Sequence, residues 1–216
     1  MRNLDNSIMS SFPTTTQNLR NCFSYPALTR EKDACGVGMV VNQFNKPSHT
    51  LVMKALEALN CMEHRGGCSA DNDSGDGAGI TTSIPWKLFE SFLTKQLISS
   101  YDRSQTGVGM LFLPTNAVKE SKEIIEWVVK EEGFQLLGWR RVPIVEEILG
   151  REARLNKPII EQIFIQSSKS KLNDKVLERD FYLLRKKIEK TIASTSSHWA
   201  SNFYVCSLSS KMIVYK

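Results

Sequence analysis

The feature that most constrains this chain is Cys35, because the texture of the sequence changes there in one step. The 34 residues before it are rich in Ser, Thr and Asn, contain Pro13 and Pro26, and show no apolar periodicity, so they read as an extended leader. No apolar core of the secretory kind is present, and Asp5, Glu31 and Asp33 speak against a transit peptide. After Cys35 the run CGVGMVVN alternates Val37, Met39 and Val41 between glycine and Asn42, which predicts a short buried strand.

A helix is expected next, with Ser48 as N-cap and Leu51, Val52, Ala55, Leu59 and Met62 on one face. It delivers His64, Arg65 and Gly66 at its C-terminal end. From Gly66 to Gly79 the chain holds five glycines and three aspartates, too many for regular structure, so this stretch reads as a functional loop. Beyond it, strands are predicted over 80–84, 108–113, 134–139, 159–165, 202–208 and 212–215, the last two joined by a turn at Ser209, Ser210 and Lys211. Helices are predicted over about 86–97, 116–130 and 174–192. The last carries Leu177, Phe181, Leu184, Ile188 and Ile192 as one stripe. The Arg185-Lys186-Lys187 run points away from that stripe and reads as a solvated face.

Composition narrows the function classes. The chain has 28 Lys+Arg against 23 Asp+Glu, and this mild, dispersed excess does not mark a nucleic-acid binder. No apolar run approaches the ~20 residues that span a bilayer. Five cysteines are an odd number in a chain too large to need disulfide staples, which fits a reducing compartment.

Several motifs fail in the Gly/Asp run. An EF-hand starting at Asp71 would place Gly75 at its fifth position and Thr82 at its twelfth, where ligands are required. A dinucleotide fingerprint from Gly75 and Gly77 would require glycine where Ile80 stands. Cys61, His64 and Cys68 lack a fourth ligand for a structural zinc site, so no metal is assigned.

Cys35 offers more chemistry. Gly36 removes side-chain bulk beside the thiol, and cleavage after Ala34 would give Cys35 a free α-amine with a reference pKa of about 7.7–8.0. Nucleophile and base would then share one residue. Composition alone favours the plainer reading, a small buried cysteine.

The segments EKDACGVGMV (31–40) and ALEALNCMEHRGGCSADNDSGDGAGITTSIP (55–85) closely resemble the start of the large subunit of glutamate synthase, its class II glutamine amidotransferase domain. The likeness runs from about Tyr25 to the last residue. It implies an α+β fold, the N-terminal part of a four-layer αββα sandwich of the N-terminal-nucleophile hydrolase type, with residues 1–34 removed and 35–216 forming part of the domain. By the same resemblance the first strand would present Cys35 between the two sheets. Its thiolate would attack the side-chain amide of L-glutamine, Arg65 would sit beside it, and the backbone at Gly66 would line the site. A nearby guanidinium would also favour the thiolate. Asp73 and Asp76 are read as pocket wall, without a chemical step.

In this family the oxyanion-hole Asn-Gly pair, and the Arg and Asp that grip the glutamine head, lie further along than residue 216, and the chain contains no Asn-Gly dipeptide. Losing one oxyanion donor typically costs ~10²–10³ in rate, so weak glutaminase activity is expected of these residues alone. A chain ending directly after a strand also suggests truncation. The resemblance implies FMN and an iron–sulfur cluster for the full-length enzyme and none here. Its implied partners are the remaining synthase domains and ferredoxin or an NAD(P)H-oxidising subunit, and its compartment the plastid stroma or bacterial cytoplasm. Two rivals stay open: a non-catalytic assembly or binding fragment, and a hydrolase of the same fold acting on another amide.

Overall fold

A computed structural model describes residues 36–44, 46–62, 67, 71–75, 77–95, 101–169 and 171–216. The chain divides into two units, Met1–Val37 and Gly38–Lys216. In the first, Gly36 and Val37 are described, both exposed and without regular structure.

The second unit contains α1 (His49–Asn60), β1 (Ile80–Ser83), α2 (Trp86–Lys95), β2 (Thr106–Leu113), α3 (Val118–Glu131), β3 (Phe134–Arg141), α4 (Arg151–Asn156), β4 (Ile159–Ser167), α5 (Asp174–Ser194), β5 (Tyr204–Ser209) and β6 (Met212–Tyr215). Its centre is a four-stranded antiparallel sheet of order β3-β4-β2-β5, and β1 pairs with β6 in a separate two-stranded sheet.

Period-2 alternation along β2 and β4 sends side chains to two different cores. Leu111, Leu113, Ile163 and Ile165 meet α3 and α5, whose contribution includes Ile125, Val128, Val129 and the predicted α5 stripe. All five stripe residues, Leu177 to Ile192, are at most 1% exposed. Each such side chain contributes roughly 1.5–3 kcal/mol relative to leaving it in water. The start of α5 is fixed by Asn173, whose side chain accepts the Val176 N–H at 3.0 Å. On the opposite sheet face, Val108, Met110 and Phe164 pack with Phe89 and Leu93 of α2 and Ile213 of β6. The layers therefore run helices, sheet, second sheet, with α1 lying against β1, which is the α+β class expected.

One expectation fails and two hold with added detail. The strand predicted through Val37, Met39 and Val41 does not form: residues 36–42 carry no ladder, and those three side chains are 90%, 86% and 66% exposed. Alternation supplies two side-chain faces but not a backbone partner, and none of the described strands pairs with this segment. The face predicted for α1 is its less exposed side, yet α1 buries no residue, and Ser48 stands at the N-cap without a side-chain hydrogen bond. The strands predicted over 202–208 and 212–215 form as β5 and β6, but the turn between them leads out of one sheet into the other. In the basic run on α5, Lys186 and Lys187 are exposed as expected while Arg185 is half-buried, and all three are ion-paired, Arg185 and Lys186 with Glu189 and Lys187 with Glu132.

Candidate functional site

Of the residues assigned to the site from sequence, Cys35, Arg65, Gly66 and Asp76 lie outside the described residues. Gly36 is exposed. Asp73 is exposed too, and its N–H donates to Asp71 Oδ1 at 3.2 Å.

The flanks of these residues are described. A Cβ on Gly38 would stand 2.6 Å from Met62 Cε, inside contact distance, so the backbone at residue 38 lies directly against the end of the α1 face. Gly38 is three residues after Cys35, and Met62 is three residues before Arg65.

The acidic glycine-rich loop is built around Asp71. Its Oδ1 accepts the Ser74 N–H at 2.9 Å, and its Oδ2 accepts the Ser74 hydroxyl at 2.7 Å. Asn72 adopts a left-handed conformation, φ 51°, which asparagine tolerates and which turns the chain back on itself. The same pair then reaches a distant element. Asp71 Oδ2 also accepts the Glu152 N–H at 3.1 Å, and Ser74 Oγ accepts the Ala153 N–H at 3.1 Å. The N-cap residue of α4 is Gly150, which has no side chain to offer. Its free N–H groups are therefore capped from the loop, and the acidic charge sits at the positive end of the helix.

Hydrogen bonds from Ser74, backbone and hydroxyl, hold the Asp71 carboxyl far below the ordinary carboxylate range, with Glu152 and Asp73 adding to the effect. Gly150 is required by closeness: a Cβ there would lie 2.5 Å from Ser74 Oγ and 2.6 Å from Ser74 N. Beyond the cap, Lys157 pairs with Glu146, and Arg154 donates to the Leu149 carbonyl at 3.0 Å. The result is a loop fixed at 71–74 by a braced segment at 146–157. Sequence reading did not find Asp71, Ser74 or Gly150. The one signal present, an Asp followed three residues later by Ser, does not say which helix it caps.

The other cysteines are not arranged as nucleophiles. Cys206 is buried, and that burial pushes its thiol up from the ordinary value despite the opposing charges of Lys216 and Arg185. Cys61 is exposed. Both described histidines, His49 and His198, are exposed. No helix among the described residues is long and apolar enough to cross a membrane.

Stacked antiparallel sheets with helices outside, and a glycine-rich loop fixed beside them, define an α+β sandwich. The pattern common to class-II glutamine amidotransferases matches residues 35–216. The chain belongs to that family, as an amidotransferase domain of the glutamate synthase type. It is 54% identical over 201 residues to the ferredoxin-dependent glutamate synthase of Pyropia yezoensis, covering 93% of this chain and 13% of that protein. It is 51% identical over 188 residues to the chloroplastic ferredoxin-dependent glutamate synthase 2 of Arabidopsis thaliana, covering 86% and 11%. The ferredoxin-dependent glutamate synthase 2 of Synechocystis is 43% identical over 210 residues, covering 96% and 13%. The chain thus spans 11–13% of the length of these relatives.

Proposed function

We propose that this chain supplies the nucleophile half of the glutaminase site of a ferredoxin-dependent glutamate synthase. The observation that carries the reading is that the family match begins at residue 35, where Cys35 would become the N-terminus after loss of residues 1–34. The contact of Gly38 with Met62 supports it, because these residues flank the nucleophile and the arginine.

In this mechanism the Cys35 thiol passes its proton to its own α-amine, and the sulfur attacks the side-chain carbonyl carbon of glutamine. The C–N bond breaks as the amine returns the proton to the leaving nitrogen, which departs as ammonia. Water then cleaves the γ-glutamyl thioester and releases glutamate. Arg65 holds the thiolate, and the Gly66 backbone lines the pocket. Asp73 and Asp76 form its wall, on the loop that Asp71 and Ser74 fix.

Ammonia would be consumed in amination of 2-oxoglutarate on the remaining synthase domains, with ferredoxin as donor, as the relatives' names indicate. FMN and the iron–sulfur cluster belong to those domains in this reading. Among the described residues no three His, Cys, Asp or Glu side chains converge as a metal site requires, and no step above runs through either group. Chloroplastic and cyanobacterial relatives support a plastid stroma or bacterial cytoplasm as the compartment.

The test is reaction of the purified chain with an α-diazoketone analogue of glutamine, followed by intact and peptide mass. A chain beginning at Cys35 that carries one adduct on that residue is expected. A chain that retains residues 1–34 and carries no adduct would overturn the proposal.

A further inference from the structure

The loop that carries Asp73 and Asp76 is anchored at both ends. At one end Asp71 and Ser74 accept the Glu152 and Ala153 N–H groups of α4, each at 3.1 Å. At the other, Gly79 lies against β6, where a Cβ would stand 2.7 Å from the Tyr215 carbonyl oxygen. Between these anchors Gly75 passes beside Gly67: a Cβ on Gly75 would stand 3.8 Å from the Gly67 carbonyl oxygen, ordinary contact distance. Gly75 follows Ser74 directly, and Gly67 follows Arg65 and Gly66. A continuous path of bonds and contacts therefore runs from α4, through Asp71 and Ser74, to the backbone next to Gly66.

The arrangement serves the loop more than the helix. A Ser, Asp or Asn at position 150 would satisfy first-turn donors of α4 locally. Gly150 instead leaves them to acceptors 79 and 81 residues away. The loop has the greater need: five glycines between Gly66 and Gly79 give its backbone wide freedom, which costs about 1–2 kcal/mol per residue to remove. The Asp71 carboxylate gathers four donors, the N–H groups of Asp73, Ser74 and Glu152 and the Ser74 hydroxyl. Hydrogen bonds to a charged acceptor are the stronger kind, and an ionised carboxylate can accept all four.

We propose that Asp71 and Ser74 are positioning residues of the glutaminase site, acting through Gly75 and Gly67 on the Gly66 backbone that lines the glutamine pocket. The inference rests on the nucleophile reading above. Neither side chain takes a chemical step, since both are engaged by the turn and by α4. Thiol activation belongs to the Cys35 amine, so loosening the loop weakens binding more than it slows the reaction of bound reagent. Asp71→Asn isolates the tether: the amide keeps one oxygen for the Ser74 N–H but places an NH₂ where Oδ2 met the Glu152 N–H. Ser74→Ala removes the acceptor of the Ala153 N–H.

The test titrates the α-diazoketone analogue of glutamine against the full chain, Asp71→Asn, Ser74→Ala and Asn173→Ala, following the rate of Cys35 labelling by mass. Asn173→Ala is the control. It removes the side-chain cap of α5, a helix on the sheet face turned away from β6. Each loop variant is expected to raise the half-saturating reagent concentration ~10-fold, with the maximal labelling rate held within ~2-fold and its pH midpoint unchanged. Loss of folded chain alone lowers the labelled fraction and leaves half-saturation where it was, which is the pattern expected of Asn173→Ala. Parent-like half-saturation in either loop variant, or an equal rise in Asn173→Ala, would overturn this inference alone. A parent chain that retains residues 1–34 and carries no adduct would overturn the nucleophile reading, and this inference with it.

Discussion

The Asp71 carboxylate accepts the backbone N–H of Glu152 at 3.1 Å, across 81 residues of sequence. One acidic side chain thereby closes its own turn and the first turn of α4. Neither element is well specified alone: α4 has six residues and a glycine cap, and the loop has Gly75 directly after Ser74. Each gives the other what it lacks, the helix supplying free N–H donors and the loop supplying acceptors.

That exchange makes the loop sensitive to acid. The folded-state pKa of Asp71 is depressed from an ordinary value of 3.8, so its contribution is complete above that value and is lost as pH falls through the folded one. Asp71→Asn is expected to lower the thermal midpoint at pH 7 and to flatten the fall in stability below pH ~4. Melts of both proteins between pH ~2 and ~7 check this; parallel curves would refute it. Ser74→Ala, which removes one cap acceptor, is expected to cost about 1 kcal/mol by urea unfolding.

Sequence made legible what a single element decides. The α5 stripe follows from helical period alone, and its five residues are buried as expected. The separation of β2 and β4 side chains into two cores follows from period 2. Properties that need a second element stayed hidden. Residues 37–41 show strand alternation, but pairing depends on a partner that no local pattern reveals. The helix α4 was missed because its cap comes from Asp71 and Ser74. In the candidate site, the loop at 66–79 was legible from its glycines, whereas its attachment to 150–153 was not.

Gly150→Ala tests that attachment from the other side. The added Cβ would fall 2.6 Å from Ser74 N and 2.7 Å from Asp73 C, and backbone atoms cannot swing away as a side chain can. A loss of ~1–3 kcal/mol is expected, in the range of overpacked cores. The companion Gly150→Ala/Ser74→Ala should recover little of it, because the clashing amide remains. Full recovery in the double variant, measured by urea unfolding, would locate the strain in the hydroxyl instead.

Thiol reactivity should separate the cysteines. Cys206 is 8% exposed and its thiol is raised by burial, so little thiolate is present at neutral pH. Cys61 is exposed. Iodoacetamide at pH ~7.5 is expected to alkylate Cys61 at least ~10-fold faster than Cys206, and denaturant should remove the difference. Peptide mass mapping over time measures both rates; equal rates in the folded chain would contradict the burial of Cys206.

The crossing from β5 to β6 depends on α5. Glu178 accepts the Ser209 hydroxyl at 2.8 Å and the Ser210 N–H at 2.6 Å, holding the turn that sends the chain into the second sheet. Beyond it, β6 reaches β1 in register, Ile213 opposite Thr82, and the Ile84 N–H donates to the Lys211 carbonyl at 3.2 Å. Glu178→Ala would leave a half-buried N–H and two hydroxyls without their acceptor, at a cost of roughly 1–3 kcal/mol. Glu178→Gln keeps one acceptor oxygen and should fall between. Because β1 pairs with β6 and no other described strand, the loss should register locally as well as globally. Amide exchange in Ile80–Ser83 and Met212–Tyr215 is expected to quicken together, while Val108 and Phe164 in the four-stranded sheet keep their protection. Uniform quickening across both sheets would mean that the turn supports the whole domain, and that the second sheet does not open on its own.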